Sequence, residues 1–364
     1  MNNYSTHSNK SGCIKDCPHT VMHFGSLQVH QGTVYIILGI ITFFLLVIIG
    51  MVGNTYKVAT LPSVTKPLSP EKPSLIVVTH EAADKLINKL KEHGLWKIKA
   101  SQVVPRFFIK SYPPDLNTIE DIAIRKRVFL HSLLPHALLV RQEALRKRDK
   151  LESILGKIGC SLDEINFDAI LNNGSQCSWT DFLAEDEISF MKNLSKKYRA
   201  STPAGLLERV DAVPTSIILA QGALESSWGS SRFTREGNSI FGMWTWKTRG
   251  IVPLRRDEGK THKVKAYENV LDSVRAYQLT LNRVDFYEEF RQLRRMTDDP
   301  LIMAEGLTLY SERGEEYVED IKKVILSNDL LKYDTLNLSD SDLQELSGPV
   351  SRTSTTVEGR KASL

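Results

Sequence analysis

A long uncharged segment near the N-terminus limits what this chain can form more than any other part of it. No Asp, Glu, Lys or Arg occurs from Gln31 to Tyr56. Its centre has the sequence TVYIILGIITFFLLVIIGMV, which can cross the roughly 30 Å hydrocarbon core of a bilayer as a helix. A signal peptide would have a shorter apolar stretch, and a buried globular helix would usually carry a polar face. The sequence predicts a transmembrane helix over residues 33–53.

The segments flanking this span and the C-terminus differ in composition from the rest of the chain. Residues 1–32 form a polar leader, and lysines on both sides of the span favour neither orientation in the membrane. Prolines in residues 54–74 predict a semi-rigid tether. Residues 333–364 are rich in Ser, Thr and Asp, which predicts a disordered tail.

The net charge of +4 is small for 364 residues and gives no reason to expect nucleic acid as a partner. Four cysteines are too few for a disulfide scaffold, although Cys160 and Cys177 could form one bond. A loose metal-ligand spacing occurs only in the leader, at Cys13, Cys17, His19 and His23, and offers no room for supporting residues. The sequence therefore predicts no metal site and no cofactor.

Residues 75–199 have mainly helical periodicity, and residues 200–332 form a second predicted domain. A basic cluster in the first of these regions is either a solvated helix face or an anionic site. Its members are Arg141, Arg146, Lys147, Arg148 and Lys150.

A predicted helix in the second region carries one carboxylate on an apolar face. Pro214 precedes the segment TSIILAQGALESSW, in which Ile218, Gln221 and Glu225 recur at helical spacing. Loss of water on such a face raises the pKa of a carboxyl toward the range that a general acid needs. Alternatively, Glu225 turns toward solvent at the end of the helix, and periodicity alone does not decide between the two.

Aromatic residues interleaved with glycine and serine follow this helix. This mixture suits sugar rings, which have apolar faces and a polar rim. Trp244 and Trp246 are two residues apart and would share one face of an extended segment, so they are candidates for the wall of a substrate groove. Trp228 and Phe241 are weaker candidates, because packing in the core accounts for them as well.

The strings AQGALESSWGSSRF and GNSIFGMWTW resemble the signature of the bacterial glucosaminidases of glycoside hydrolase family 73, in particular the Bax-type branch. The likeness continues through KVKAYENVLDSVRAYQLTLNR and GLTLYSERGEEYVEDIKKVI and covers about residues 200–330. It implies a mainly α (α+β), lysozyme-like domain with a small β-hairpin lobe. It also implies cleavage of peptidoglycan glycan strands after N-acetylglucosamine.

The resemblance implies roles for individual residues. Glu225 would be the general acid, and Tyr310 would position the acetamido group of the substrate or stabilise developing charge. Asn238 would hydrogen-bond the substrate, and Gly242 would let the backbone approach it closely. Gln221 is a further candidate for substrate binding. Tyr317 belongs to the same closing motif as Tyr310, and its helical spacing favours a packing role.

A second carboxylate is predicted in a turn between two short extended segments, at Glu258. As a base it would stand roughly 6.5 to 9.5 Å from the acid, which leaves room for a water. Two alternatives remain: an ordinary charged turn, and attack by the acetamido oxygen of the substrate itself.

The sequence thus predicts a β-N-acetylglucosaminidase anchored in the cytoplasmic (inner) membrane by one helix. Because peptidoglycan lies outside this membrane, the N-terminus would be cytoplasmic and the catalytic domain periplasmic, where Cys160 and Cys177 meet oxidising conditions. Two other functions remain open. A lytic transglycosylase would release an anhydro product without water. A non-catalytic peptidoglycan-binding or scaffold protein would bind glycan strands without turnover.

Overall fold

The computed structural model describes residues 76–78, 82–162, 165–167, 178–254 and 256–339. They belong to one unit, Pro70–Leu364. The predicted leader, transmembrane span and tether lie outside the described residues. No helix in the described ranges is both long enough and apolar enough to span a bilayer.

Helices dominate the described residues, which confirms the mainly α prediction. The α-helices are α1 (Ala83–Glu92), α2 (Ile122–Leu155), α3 (Glu185–Tyr198), α4 (Pro203–Arg209), α5 (Thr215–Glu225), α6 (Arg232–Gly237), α7 (Val270–Arg283), α8 (Glu288–Met296), α9 (Pro300–Met303) and α10 (Glu315–Ser327). The strands are β1 (Ile76–Val78), β2 (Val103–Val104), β3 (Phe107–Ile109), β4 (Trp244–Thr245), β5 (Gly250–Ile251), β6 (Lys263–Lys265) and β7 (Asn337–Leu338).

The long helix α2 is the centre of the fold. Asp121 caps its N-terminus by accepting hydrogen bonds from the backbone N–H groups of Ala123 and Ile124. The helix continues through Pro135, which has no N–H for the helical ladder. Nδ1 of His136 lies 3.0 Å from the carbonyl oxygen of Ser132, so a side chain contacts the backbone in this turn. The buried residues around the proline hold the helix together by packing.

Helix α5 lies close against α2 because of a glycine. A Cβ at Gly222 would come within 2.9 Å of Cδ2 of Leu133 and 3.3 Å of Cγ2 of Ile240. Residues Thr215 to Ala223 are all buried, so α5 is enclosed on every side rather than amphipathic. Leu224 and Glu225, the last two residues of the helix, are half-buried.

Three small sheets complete the fold. β1 pairs in parallel with β3, and β2 pairs in parallel with β7. β4, β6 and β5 form an antiparallel three-stranded sheet in that order. Its β5–β6 pair corresponds to the hairpin that the sequence predicts around Glu258.

The predicted disordered tail is wrong for residues 333–339. Strand β7 lies in this range, and the side chains of Tyr333, Leu336 and Leu338 are buried. Oδ1 of Asp334 accepts a hydrogen bond of 2.9 Å from the backbone N–H of Ser216, in the first turn of α5. The few apolar side chains of this otherwise polar segment pack into the main hydrophobic core. Residues 340–364 lie outside the described residues.

A second hydrophobic cluster surrounds the C-terminal half of α2. It includes Leu151 and Ile154 of α2, Met191 and Leu194 of α3, and Leu206 of α4. Cys160 follows α2 and is disulfide-bonded. Cys177, which the sequence pairs with it, lies outside the described residues.

Candidate active site

Glu225 is the last residue of α5, and the chain reverses sharply after it. Ser227, Trp228 and Gly229 follow with φ angles of 50°, 56° and 80°. Left-handed backbone is uncommon for any residue but glycine, especially for one as bulky as tryptophan. Strained backbone of this kind clusters at functional sites. The turn leaves the Glu225 side chain half-buried.

Burial makes Glu225 a weaker acid than an exposed glutamate. Desolvation raises the pKa of its carboxyl, and a hydrogen bond from the Tyr317 hydroxyl offsets part of this increase. A larger fraction of this carboxyl is protonated near neutral pH than of an exposed one.

The two oxygens of the Glu225 carboxyl have different neighbours. The Tyr317 hydroxyl donates to Oε1 at 2.6 Å. Oε2 faces Gly242, where a Cβ would lie 3.8 Å from it. Gly242 has a φ of 61°, which favours glycine, and it leaves the space beside Oε2 free of a side chain. Oε1 is therefore held by a hydrogen bond from the protein, whereas Oε2 lies beside backbone that carries no side chain.

The predicted substrate contact of Gln221 is wrong. Its side chain is fully buried, and both ends of its amide are occupied. Nε2 donates to the Tyr317 hydroxyl at 2.9 Å, and Oε1 accepts a hydrogen bond from the Tyr277 hydroxyl. Helical spacing placed Gln221 on the same face as Glu225, but α10 and α7 cover that position.

Four aromatic rings pack together beside the carboxyl. Tyr310 stacks on Tyr317 with centroids 5.6 Å apart and an interplanar angle of 3°, and Phe241 stacks on Tyr277 at 3.9 Å. The Tyr310 hydroxyl donates to the carbonyl oxygen of Phe241 at 3.2 Å. Burial and the nearby Glu225 charge raise the pKa of Tyr277, Tyr310 and Tyr317 above that of an ordinary phenol. All three hydroxyls stay protonated at any physiological pH.

Residues 204–330 match the family described as glucosaminidase, mannosyl-glycoprotein endo-beta-N-acetylglucosaminidase. The chain contains a glucosaminidase-family domain. This confirms the family to which the motifs around Glu225 point.

Individual relatives agree with this assignment. Protein bax of Escherichia coli K12 is 27% identical over 218 residues, which cover 56% of this chain and 70% of that protein. The peptidoglycan hydrolase FlgJ of Salmonella typhimurium is 34% identical over 98 residues, covering 23% of this chain and 31% of that protein. FlgJ of Escherichia coli K12 is 31% identical over 119 residues, covering 29% of this chain and 36% of that protein.

A solved structure also matches. The catalytic domain of the autolysin Auto from Listeria monocytogenes has 21% sequence identity and a TM-score of 0.27, and the match covers 39% of this chain and 80% of that one. A score this low carries no structural argument.

Asn238 has a structural position in the glucosaminidase domain. It caps α6 in left-handed backbone, with a φ of 51°, and its Nδ2 donates to the carbonyl oxygen of Tyr267 at 3.2 Å. Its Oδ1 is buried and accepts no hydrogen bond from the part of the chain that the structure describes. The amide of Asn238 thus contacts the protein through Nδ2, and its predicted hydrogen bond to substrate stays a prediction.

Phe241 and Trp228 are packing residues. Phe241 is buried and contributes its carbonyl to Tyr310, so its predicted contact with substrate is wrong. Trp228 is half-buried with its ring edge against Phe129, at a centroid distance of 6.1 Å. Nζ of Lys126 lies 4.6 Å from the centroid of the Trp228 indole. Of the aromatic candidates for a groove wall, Trp244 and Trp246 are the exposed ones.

Trp244 and Trp246 are exposed, as a groove wall requires. Their side chains are 59% and 63% accessible, and their rings meet at 6.2 Å and 74°. The imidazole of His262 stacks on Trp244 at 4.4 Å, which fixes that indole. Isolated exposed tryptophans need no explanation, but an adjacent, ordered pair is unusual on a protein surface.

Glu258 lies in the exposed turn between β5 and β6. Within the described ranges it makes no hydrogen bond to the residues around Glu225. Gly259 follows with a φ of 79°, as a tight turn requires. The structure thus places this carboxylate in the exposed turn of the small sheet, and its role as the base stays a prediction.

Sequence pattern alone does not reveal the roles of Tyr277 and Tyr317. Apolar residues accompany Tyr317 at helical spacing, which predicts a packing role, and its ring does pack. Its hydroxyl also contacts Glu225, which periodicity does not reveal. Tyr277 lies in the motif that resembles the family, but nothing in the local pattern separates it from an ordinary core tyrosine.

Proposed function

We propose that this protein is a peptidoglycan hydrolase that cleaves the β-1,4 bond after N-acetylglucosamine, with Glu225 as the general acid. The observation that carries the proposal is the half-buried Glu225 carboxyl, with its raised pKa and one oxygen facing Gly242. The glucosaminidase-family match supports the bond, and the peptidoglycan hydrolases among the relatives support the polymer. The proposal includes a lysozyme-like architecture for this domain.

Protonated Glu225 would give its proton to the glycosidic oxygen. The bond between that oxygen and C1 of N-acetylglucosamine breaks, and its electron pair stays on the oxygen, which becomes a hydroxyl of the departing strand. Water then supplies a hydroxyl to C1 and releases its second proton. General acid catalysis of this kind contributes about 10²- to 10⁴-fold to the rate.

Two routes are available for the attack on C1. If Glu258 is the base, it takes the proton of the attacking water once the β5–β6 turn has moved toward the substrate. If the acetamido oxygen of the substrate attacks C1 instead, a cyclic intermediate forms and water opens it. Glu258→Gln separates the two routes, because only the first predicts loss of about 10² or more in kcat.

The exposed indoles would bind the sugar rings. Trp244 and Trp246 lie on β4 and directly after it, and β4 pairs with β6 of the hairpin that carries Glu258. Stacking against C–H faces needs no charge on the ligand, which suits a glycan backbone. The role proposed for Tyr310 is to support the carbonyl of Phe241 and, through it, the backbone beside Gly242.

The proposal places the domain outside the cytoplasmic membrane. The uncharged segment over residues 33–53 would be the anchor, with the leader in the cytoplasm and the glucosaminidase domain in the periplasm. A reporter that is active only in the periplasm, fused after residue 364, tests this orientation. A fusion that accumulates in the membrane but shows no reporter activity would contradict it.

Digestion of purified sacculi tests the proposed reaction. The detergent-solubilised full chain should release fragments whose new reducing end is N-acetylglucosamine, as read by borohydride reduction and mass spectrometry. Glu225→Gln should reduce release by about 10³-fold, whereas Glu236→Gln, at an exposed position of α6, should not. An anhydro product would identify a transglycosylase. Binding without release by the parent protein would identify a scaffold.

A further inference from the structure

Three buried polar side chains form a chain of hydrogen bonds that ends at Glu225. The Tyr277 hydroxyl donates to Oε1 of Gln221, Nε2 of Gln221 donates to the Tyr317 oxygen, and the Tyr317 hydroxyl donates to Oε1 of Glu225. Gln221 and Glu225 are one turn apart on α5, Tyr277 lies on α7, and Tyr317 lies on α10. Three helices are therefore joined through a single amide.

The direction of this chain decides where the acid proton lies. A phenol has one hydrogen, and the Tyr317 oxygen already accepts the hydrogen bond from Gln221. Its own hydrogen is thus left for Oε1 of Glu225. An oxygen that accepts this hydrogen bond does not hold its own proton against the phenol. When Glu225 is protonated, the proton belongs on Oε2, the oxygen that faces Gly242.

Tyr277 is what keeps the amide of Gln221 in this orientation. With the amide reversed, its NH₂ group would face the Tyr277 oxygen, and the Tyr277 hydrogen would lose its acceptor. Gln221 is the sole hydrogen-bond partner of the Tyr277 hydroxyl within the ranges the structure describes. A buried donor without a partner loses its hydrogen bond to water and gains none in the protein, which is unfavourable. This cost selects the orientation seen here.

We propose that Gln221 and Tyr277 are positioning residues that place the catalytic proton of Glu225 on Oε2, toward the substrate. The inference rests on the proposed role of Glu225 as the general acid. Neither residue touches the substrate, because both are fully buried. They act by making Tyr317 a hydrogen-bond donor toward Glu225 rather than an acceptor.

Tyr277→Phe and Gln221→Glu test this relay. Tyr277→Phe keeps the ring on Phe241 and removes only the hydroxyl, so the amide can reverse and Tyr317 can turn its hydrogen away from Glu225. Gln221→Glu keeps the shape of the side chain but offers Tyr317 an acceptor in place of a donor. Both changes withdraw a hydrogen bond from the Glu225 carboxylate and should raise its pKa.

Two readouts separate positioning from packing. The titration of Glu225, followed by the NMR signal of its ¹³C-labelled carboxyl carbon in the full chain, should move to higher pH in both variants. On sacculi, kcat should fall about tenfold with KM unchanged, and the alkaline limb of kcat should move upward with the titration. Tyr112→Phe is the matched control, since its buried hydroxyl donates to the carbonyl of Phe129 at 3.2 Å.

A folded Tyr277→Phe variant whose Glu225 titrates as in the parent protein would overturn the proposal. So would a shift of the same size in Tyr112→Phe. If Gln221→Glu fails to fold, Tyr277→Phe alone decides. The NMR titration needs no turnover, so a parent protein without glycosidase activity would refute the proposed function and leave the relay to be judged by the titration.

Discussion

The Tyr317 hydroxyl donates a hydrogen bond of 2.6 Å to Oε1 of Glu225, across 92 positions of the sequence. This contact lowers the pKa of the carboxyl while burial raises it, so the two effects act in opposite directions on one group. Together the two effects leave the pKa of Glu225 above its ordinary value. The hydrogen bond from Tyr317 also holds the carboxyl in one orientation.

Removing the Tyr317 hydroxyl should shift the pH dependence of activity. In Tyr317→Phe the Glu225 carboxylate loses its hydrogen-bond donor, so its pKa rises further. A general acid works while protonated, and the alkaline limb of kcat should therefore move to higher pH. The maximum of kcat should fall by about tenfold, because the carboxyl is less well oriented.

The control for this experiment is Tyr333→Phe, which removes a buried hydroxyl that lies 3.0 Å from Nε2 of His131, away from the acid. Its pH–activity profile should match that of the parent protein. An unchanged alkaline limb in Tyr317→Phe would mean that Tyr317 does not interact with the titrating acid.

Replacing Glu225 should remove a loss of stability that the parent protein undergoes as the pH rises above the ordinary carboxyl pKa. Because the pKa of Glu225 in the folded protein is above its ordinary value of 4.5, ionisation favours the unfolded chain. This destabilisation is absent below the ordinary pKa and increases as the pH rises through the raised one. Glu225→Gln cannot ionise and should gain stability relative to the parent at pH 8 but not at pH 4.

Urea unfolding at both pH values measures this difference. Glu258→Gln serves as the comparison, since its carboxyl is exposed and the substitution should leave stability unchanged at either pH. Equal stability differences for Glu225→Gln at pH 4 and pH 8 would contradict the raised pKa.

The exposed indoles should contribute to binding and not to stability. Trp244→Ala and Trp246→Ala should each weaken binding of the inactive Glu225→Gln protein to sacculi by about tenfold, or ~1.4 kcal/mol. The control is Leu254→Ala, three residues after β5, where the side chain is 86% exposed; this variant should bind normally. Co-sedimentation with sacculi measures the affinity. Loss of binding accompanied by a lower melting temperature would show that the indoles are needed for folding instead.

The segment after α10 should stabilise the helix that carries the acid. Asp334 accepts a hydrogen bond from the first turn of α5, and Asp334→Ala should cost about 1 kcal/mol, as for loss of a helix cap. Leu338→Ala, at a buried position of β7, should cost about 2–4 kcal/mol. The exposed Asn337 provides the control, and urea denaturation is the measurement. If both variants were as stable as the parent protein, residues 333–339 would not stabilise the fold, and the predicted disordered tail would stand.

Local sequence pattern accounts well for Glu225 and its helix. A proline before an apolar run marks the start of α5, and the motif around residue 225 resembles one family closely enough for the comparisons to confirm it. The mainly helical character was predicted on the same basis. These features depend on residues that are close together in the sequence, through their backbone preferences and their spacing.

Local sequence pattern gave wrong predictions where the groups that surround a residue come from distant parts of the chain. Helical spacing placed Gln221 on a substrate-facing side, but Tyr277 and Tyr317 cover it. Composition predicted a tail from residue 333, although β2 offers an edge to Asn337 and Leu338. Periodicity describes one element at a time, and burial depends on which other elements pack against it.

The sequence by itself determined the family of the domain and the helical class, and it singled out Glu225 as the candidate acid, because each depends on residues close together along the chain. Only the tertiary structure decided that Gln221, Tyr277 and Tyr317 form one relay to Glu225 and that Oε2 is the oxygen left facing Gly242. Hydrogen-bond direction depends on every donor and acceptor in the cluster at once, and packing brings these groups together from three separate helices.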